Sequence, residues 1–248
     1  MNDPHPEATP EKATIIDDLI EIWTSPSAVF ARRAESGFFL MMCIMTVVIG
    51  ALFVANRGVL EGVVDAEMNR RFAEAAAQGQ TVPPDAIAMA KKWGGIIGTF
   101  GAFVGVPIGV LLVGLGTWIT GKIVGADDEF GYGKAAMIAA YSFAPKIISM
   151  LTVTVQGLLI DTNTITSPYQ ISTSVARFLD PNMSAGLLAL AGRVDIFTVW
   201  SSALIGIGVA VVGKTSRGRI LPAAAVIWVI GSVPAFWQIL MGALRATA

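Results

Sequence analysis

The chain has 248 residues, of which 54% are hydrophobic and only 14% charged, with a mean hydropathy of +0.67. Soluble domains carry about 25% charged residues, so this composition argues against a soluble globular protein and excludes a disordered chain. A net charge of −1 leaves no basic excess to hold nucleic acid, and a single cysteine, Cys43, with a single histidine, His5, excludes an intrachain disulfide, a thiolate metal cluster and most metalloenzyme centres.

Residues 1–13 are polar, acidic and Pro-rich and read as a disordered tail, with no cleavable signal peptide before the first apolar run at Phe38. Residues 14–36 read as an amphipathic segment lying on the membrane. Ile15, Ile16, Leu19, Ile20, Ile22 and Trp23 are apolar, with Asp17, Asp18 and Glu21 interleaved. Thr14 is expected to cap it, with Asp17 completing a capping box. Pro26 starts a second short helix with Val29 and Phe30 on its apolar side and Arg32 and Arg33 on its polar side. The segment serves either as an interfacial anchor or docking helix, with Trp23 as the residue to test, or as a lid that only packs on the bundle.

Charge-free stretches then decide the class. Phe38–Ala55, Trp93–Gly121, Ile196–Gly213 and Ile220–Leu244 carry no charge, and Ala135–Ile160 carries only Lys146. A bilayer core of about 30 Å needs roughly 20 apolar helical residues. The reading is an all-α, polytopic membrane helical bundle (38–244) with five transmembrane helices, at about 38–55, 95–121, 135–158, 194–213 and 220–244, preceded by an N-terminal interfacial amphipathic helix. The lipid bilayer is its first partner. Basic residues divide evenly between the two sides, and the tight turn holding Lys214, Arg217 and Arg219 breaks the tie in favour of a cytoplasmic N-terminus and an external C-terminus. That basic turn is a second candidate docking surface.

Between the spans, Gly62–Gln78 reads as a soluble helix ended by Gly79 and Pro83–Pro84. Residues 161–192 form a Thr/Ser-rich connection in which Met183–Ala191 is apolar but too short to cross. In the second span, Gly101, Gly105 and Gly109 at intervals of four suggest a close helix–helix contact, within the chain or in a homo-oligomer, and Pro107 is expected to kink the helix.

The third span holds Tyr141, Pro145 and Lys146 near its middle. Proline clashes with the carbonyl four residues back, and a charge at the bilayer centre costs at least about 2.5–3.5 kcal/mol. Ser142, Lys146, Ser149 and Gln156 share one helical face. This stripe is a candidate buried polar site for an anion, a lipid headgroup or a proton. The alternative is a structural lysine that caps kinked carbonyls or snorkels to water. The fourth span adds Asp195, Thr198 and Ser202 on one face, with Asp195 placed to cap the helix. Lys146 is expected to lie roughly 15–18 Å deeper than Asp195, so an ion pair between them requires a shifted boundary or a shared water cavity.

Together, Ser25–Phe30, Tyr141–Pro145 and Asp195–Trp200 continuing to Gly208 resemble the Yip domain, the Ypt/Rab GTPase-interacting family, in its bacterial branch. The resemblance covers roughly residues 15–244. It implies a five-span bundle with a cytoplasmic N-terminus, in a bacterial inner membrane. Eukaryotic members bind small GTPases and act in vesicle trafficking. Their long N-terminal region has no counterpart in the 37 or so residues before the first span, which argues against GTPase binding here. The resemblance implies no catalytic residues.

No His–Glu metal motif, Gly-x-Ser-x-Gly or phosphate loop is present, so catalytic, cofactor and metal residues are each assigned as none. The expected function is a non-enzymatic adaptor or scaffold in membrane organisation, partnered by another membrane protein or a second copy. The alternative is a transporter or channel-like component using the polar stripe around Lys146.

Overall fold

The computed structural model describes residues 13–77, 79, 83–160, 167–180 and 183–246. The expected disordered tail lies outside the described residues, apart from Ala13. Ten α-helices follow one another: α1 (Ile15–Glu21), α2 (Pro26–Arg33), α3 (Phe39–Ala55), α4 (Arg57–Ala77), α5 (Pro84–Val124), α6 (Tyr132–Tyr141), α7 (Ala144–Leu159), α8 (Ala185–Arg193), α9 (Ile196–Val212) and α10 (Ile220–Ala246). Short 3-10 turns cover Pro168–Ile171, Val175–Phe178 and Arg217–Arg219. Among the described residues the only β feature is an isolated bridge between Ser174 and Asp195.

Among the described residues, three segments are long and apolar enough to cross a membrane: Phe100–Val124, Tyr132–Leu159 and Arg217–Leu244. Phe39–Ala55 and Ile196–Val212 are apolar but shorter, at 17 residues each. The chain is therefore an all-helical, membrane-type protein. The Tyr132–Leu159 segment is central, with more than half of its apolar window buried inside the protein, against under a third for the other two.

Small residues place it there. Every residue from Ala135 to Tyr141 is buried, and four of the seven are alanine. A Cβ added at Gly114 of α5 would lie 3.0 Å from Ala136 Cα, and one at Gly208 of α9 would lie 2.5 Å from Ile138. The backbones approach closely because those side chains are missing. Within the chain the expected glycine series divides. Gly101 and Gly105 look onto open space, and only Gly109 of that series meets a neighbour, the Phe143 ring at 3.3 Å. A spacing of four residues marks one face of the helix but does not say which face turns inward.

Pro107 lies inside α5, which runs from Pro84 to Val124. Pro145 differs from expectation: it does not kink a continuous span. The helix stops at Tyr141 and restarts at Ala144, which puts Pro145 in the first turn of α7, where its missing N–H leaves no bond unmade. The long α5 ends at Gly125, whose φ of 79° is the left-handed cap that glycine adopts without a Cβ clash.

The N-terminal pair is tied by its own residues. Thr14 and Asp17 form the anticipated capping box: Thr14 N–H donates to Asp17 Oδ2 (2.6 Å) and Asp17 N–H to Thr14 Oγ1 (3.3 Å). That bonding holds the Asp17 carboxyl below the ordinary aspartate pKa. Helix α2 packs on α9, burying Val29 and Phe30.

Candidate functional site

Among the described residues, two polar constellations stand out, one buried and one lining a cavity. The first joins the N-terminal pair to the central segment. Asp18 is fully buried (0% exposed). Its Oδ1 accepts from Arg32 Nε (3.0 Å) and Nη2 (2.5 Å), and its Oδ2 accepts from Arg33 Nε (2.6 Å) and Tyr141 Oη (2.9 Å). Arg33 also donates to the Ala13 carbonyl, and Arg32 to Glu21. Nearby, Trp23 stands edge-on to Trp200, with ring centroids 5.1 Å apart, and Lys134 pairs with Glu35.

Arg32 and Arg33, on the polar side of α2 as expected, both bond one carboxylate. Trp23 is half-buried and packs on α9. Ile16 and Ile20 hold the outward position, at 69% and 65% exposed. Sequence reading missed Asp18, because its partners are 14, 15 and 123 residues away.

The second constellation is a cavity of about 520 Å³. Ser142, Lys146, Ser149, Asp195, Thr198 and Ser202, all in the expected polar stripe, line it together. Arg193 and Ser201 join them, and Leu112, Val113, Ile205, Ile227 and Val233 supply apolar wall. Lys146 and Asp195 therefore line one cavity, the shared space that their expected difference in depth called for. No ion pair joins them.

Three expected members lie elsewhere. Tyr141 serves Asp18, and Pro145 is buried in the first turn of α7. Gln156 bonds the Ile171 carbonyl (3.0 Å) and accepts from Arg177 (2.7 Å).

Asp195 is already engaged. Its Oδ1 caps α9 by accepting from Phe197 N–H (2.9 Å) and Thr198 N–H (3.1 Å), and its Oδ2 accepts from the Thr173 hydroxyl. Ser142 and Ser202 donate to carbonyls in their own helices, Ile138 and Thr198. Lys146 and Arg193 have no side-chain hydrogen bond or ion pair to any described residue, and Arg193 Nε is buried without a partner. The Arg193 guanidinium rests over Gly231, where a Cβ would collide with it, while the Arg193 carbonyl accepts from Trp228 Nε1 (3.0 Å). Sequence reading missed Arg193, although its place two residues before the cap Asp195 put it beside the polar face.

At the other end of α9, Lys214 pairs with Asp127 (3.1 Å) and Glu129 (3.0 Å). These contacts raise the lysine pKa above its ordinary value and lower that of Asp127. Of the three cations expected to form a docking turn, Lys214 is thus committed within the chain, and Arg217 and Arg219 are exposed.

Among the described residues no group of three or more His, Cys, Asp or Glu side chains could hold a metal. No curated protein and no solved structure matches the chain. The model of the Yip1 domain matches residues 20–238, a span that takes in α2, Tyr141, the cavity and the basic turn and begins two residues after Asp18. An apolar helical chain matched over most of its length in this way belongs to the Yip1 domain family.

Proposed function

We propose that this protein is a non-enzymatic scaffold crossing a bacterial inner membrane five times, with a cytoplasmic N-terminus and an external C-terminus. The three long apolar segments make three crossings. Helices α3 and α9, at 17 residues each, make the other two at the short end of the spanning range. The observation that carries the scaffold reading is the Asp18 cluster. It commits two arginines and a tyrosine to holding the N-terminal pair against the bundle, so that pair presents one fixed outer surface. Ile16 and Ile20 on that surface insert at the bilayer boundary, which positions the protein for a membrane partner.

Topology is tested by reporter fusions in the connections around residues 83, 128, 180 and 215. Alternation of sides at every site supports five crossings, and two successive sites on one side overturn them. Function is tested by complementation of a deletion strain. Scaffolding predicts loss with Ile16→Ser/Ile20→Ser or Arg217→Gln/Arg219→Gln, and retention with Lys146→Met. The cavity favours a second reading, a transport-related component, and that reading predicts the reverse pattern at unchanged protein level.

A further inference from the structure

We propose that the cavity between α5, α7, α9 and α10 binds the phosphate of an anionic phospholipid, admitted sideways from the bilayer. This rests on α5 and α10 crossing the membrane, which the reporter fusions test separately. It holds whether the protein scaffolds or transports.

The charge balance of the cavity calls for an anion. Two cations line it, Lys146 and Arg193, and neither has an ion-pair partner among the described residues. The single carboxylate, Asp195, is committed to the α9 amides and Thr173. Charges inside a bilayer are costly unless they are paired. Arg193 adds a second unpaired charge: its Nε is buried without a partner, and a guanidinium is the cation that suits phosphate oxygens. Gly231 leaves the space in which that guanidinium lies. Ser149 and Ser201 add hydroxyls with no other partner among the described residues.

The ligand is an amphiphile because of the wall and the mouth. The polar side chains come from α7, α8 and α9, and the side chains that α5 and α10 add are apolar. Leu112 and Val233 line the cavity and are 63% and 57% exposed, so the apolar side of the cavity is open rather than enclosed. An acyl chain can lie across these two residues without leaving hydrocarbon, while its phosphate reaches Arg193 and Lys146.

The experiment is native mass spectrometry of the full chain in mild detergent, titrated with phosphatidylglycerol or phosphatidylcholine of matched chains. The wild type should retain phosphatidylglycerol at about tenfold lower lipid concentration, the scale of one well-made charge contact. Lys146→Gln/Arg193→Gln should abolish that preference, and Arg217→Gln/Arg219→Gln, on the exposed turn, should leave it unchanged. Equal retention of the two lipids, or a preference lost only with the turn variant, overturns the proposal. Displacement of the lipid by millimolar inorganic phosphate would show a free-oxyanion site and overturn the lipid assignment. If the cavity variant does not fold, Val233→Trp on the outer surface substitutes for it: lower phosphatidylglycerol retention supports entry at the α5–α10 mouth, and unchanged retention overturns it.

Discussion

Tyr141 Oη donates to Asp18 Oδ2 at 2.9 Å across 123 residues of sequence, which ties the end of α6 to the N-terminal helix. The same carboxylate takes three bonds from Arg32 and Arg33. Removing its charge leaves two half-buried guanidinium groups uncompensated, an effect of about 3 kcal/mol or more for a buried pair that loses one partner. Asp18→Asn should therefore lower the thermal midpoint in detergent well below that of Tyr141→Phe, which removes one hydrogen bond to a charged group, about 1.5–3 kcal/mol. The double variant should fall short of the sum of the two, because both changes act on one carboxylate. Full additivity would show that the cluster is not a unit.

The glycines should divide by neighbour rather than by spacing. Gly206→Ala would push a Cβ into the Ile220 carbonyl, and Gly114→Val would meet the Ala136 backbone. Both should destabilise the bundle by about 1–3 kcal/mol, the usual range for overpacking. Gly101→Ala and Gly105→Ala meet nothing within the chain, so they should be neutral, or stabilising by up to about 1 kcal/mol through helix propensity. Thermal melts of the four single variants check this. A large loss at Gly105 would reveal a contact outside the single chain.

Asp195 should behave as a cap first. Asp195→Ala removes the acceptor for two α9 amides and should cost about 1 kcal/mol, whereas Asp195→Asn keeps a capping oxygen and should cost less. No ion pair joins Asp195 to Lys146, so the losses from Lys146→Met and Asp195→Asn should nearly add. Recovery in the double variant would show stronger coupling through the shared cavity than the separate side chains imply.

The turn between α9 and α10 should respond to pH at both extremes. The Asp127 carboxyl is held below its ordinary value by Lys214, so its contribution is complete above about pH 4 and is lost as pH falls through the depressed value. The Lys214 ammonium is raised by Glu129 and Asp127, so its contribution is complete below about pH 10 and is lost as pH rises through the raised value. Exchange of the Asp127 amide, which bonds the Gly213 carbonyl at 3.0 Å, reports the loosening once corrected for intrinsic rates. Flat protection from pH 7 down to acid well below the ordinary aspartate range would mean that the ion pairs do not hold the turn.

The sequence by itself determined the class of the protein and its local punctuation. Apolar runs with almost no charge specify membrane-type helices, because the cost of exposing backbone and charge to hydrocarbon is summed over contiguous residues. The Thr14–Asp17 box and the Asp195 cap were legible for the same reason, since each is a bond made within three residues. The polar stripe from Ser142 to Ser149 followed from helical period. Only the tertiary structure decided which of these features meet. Which glycines touch a neighbour depends on the rotation of α5, and a four-residue spacing leaves that rotation free. Lys146 and Arg193 share a cavity because α7 and the α8–α9 junction both face it, and no window along the chain encodes that meeting. Asp18 reads as one polar residue on a surface helix until Arg32, Arg33 and Tyr141 close on it. A buried charge is held by partners gathered from separate segments, and those partners exist only once the helices have packed.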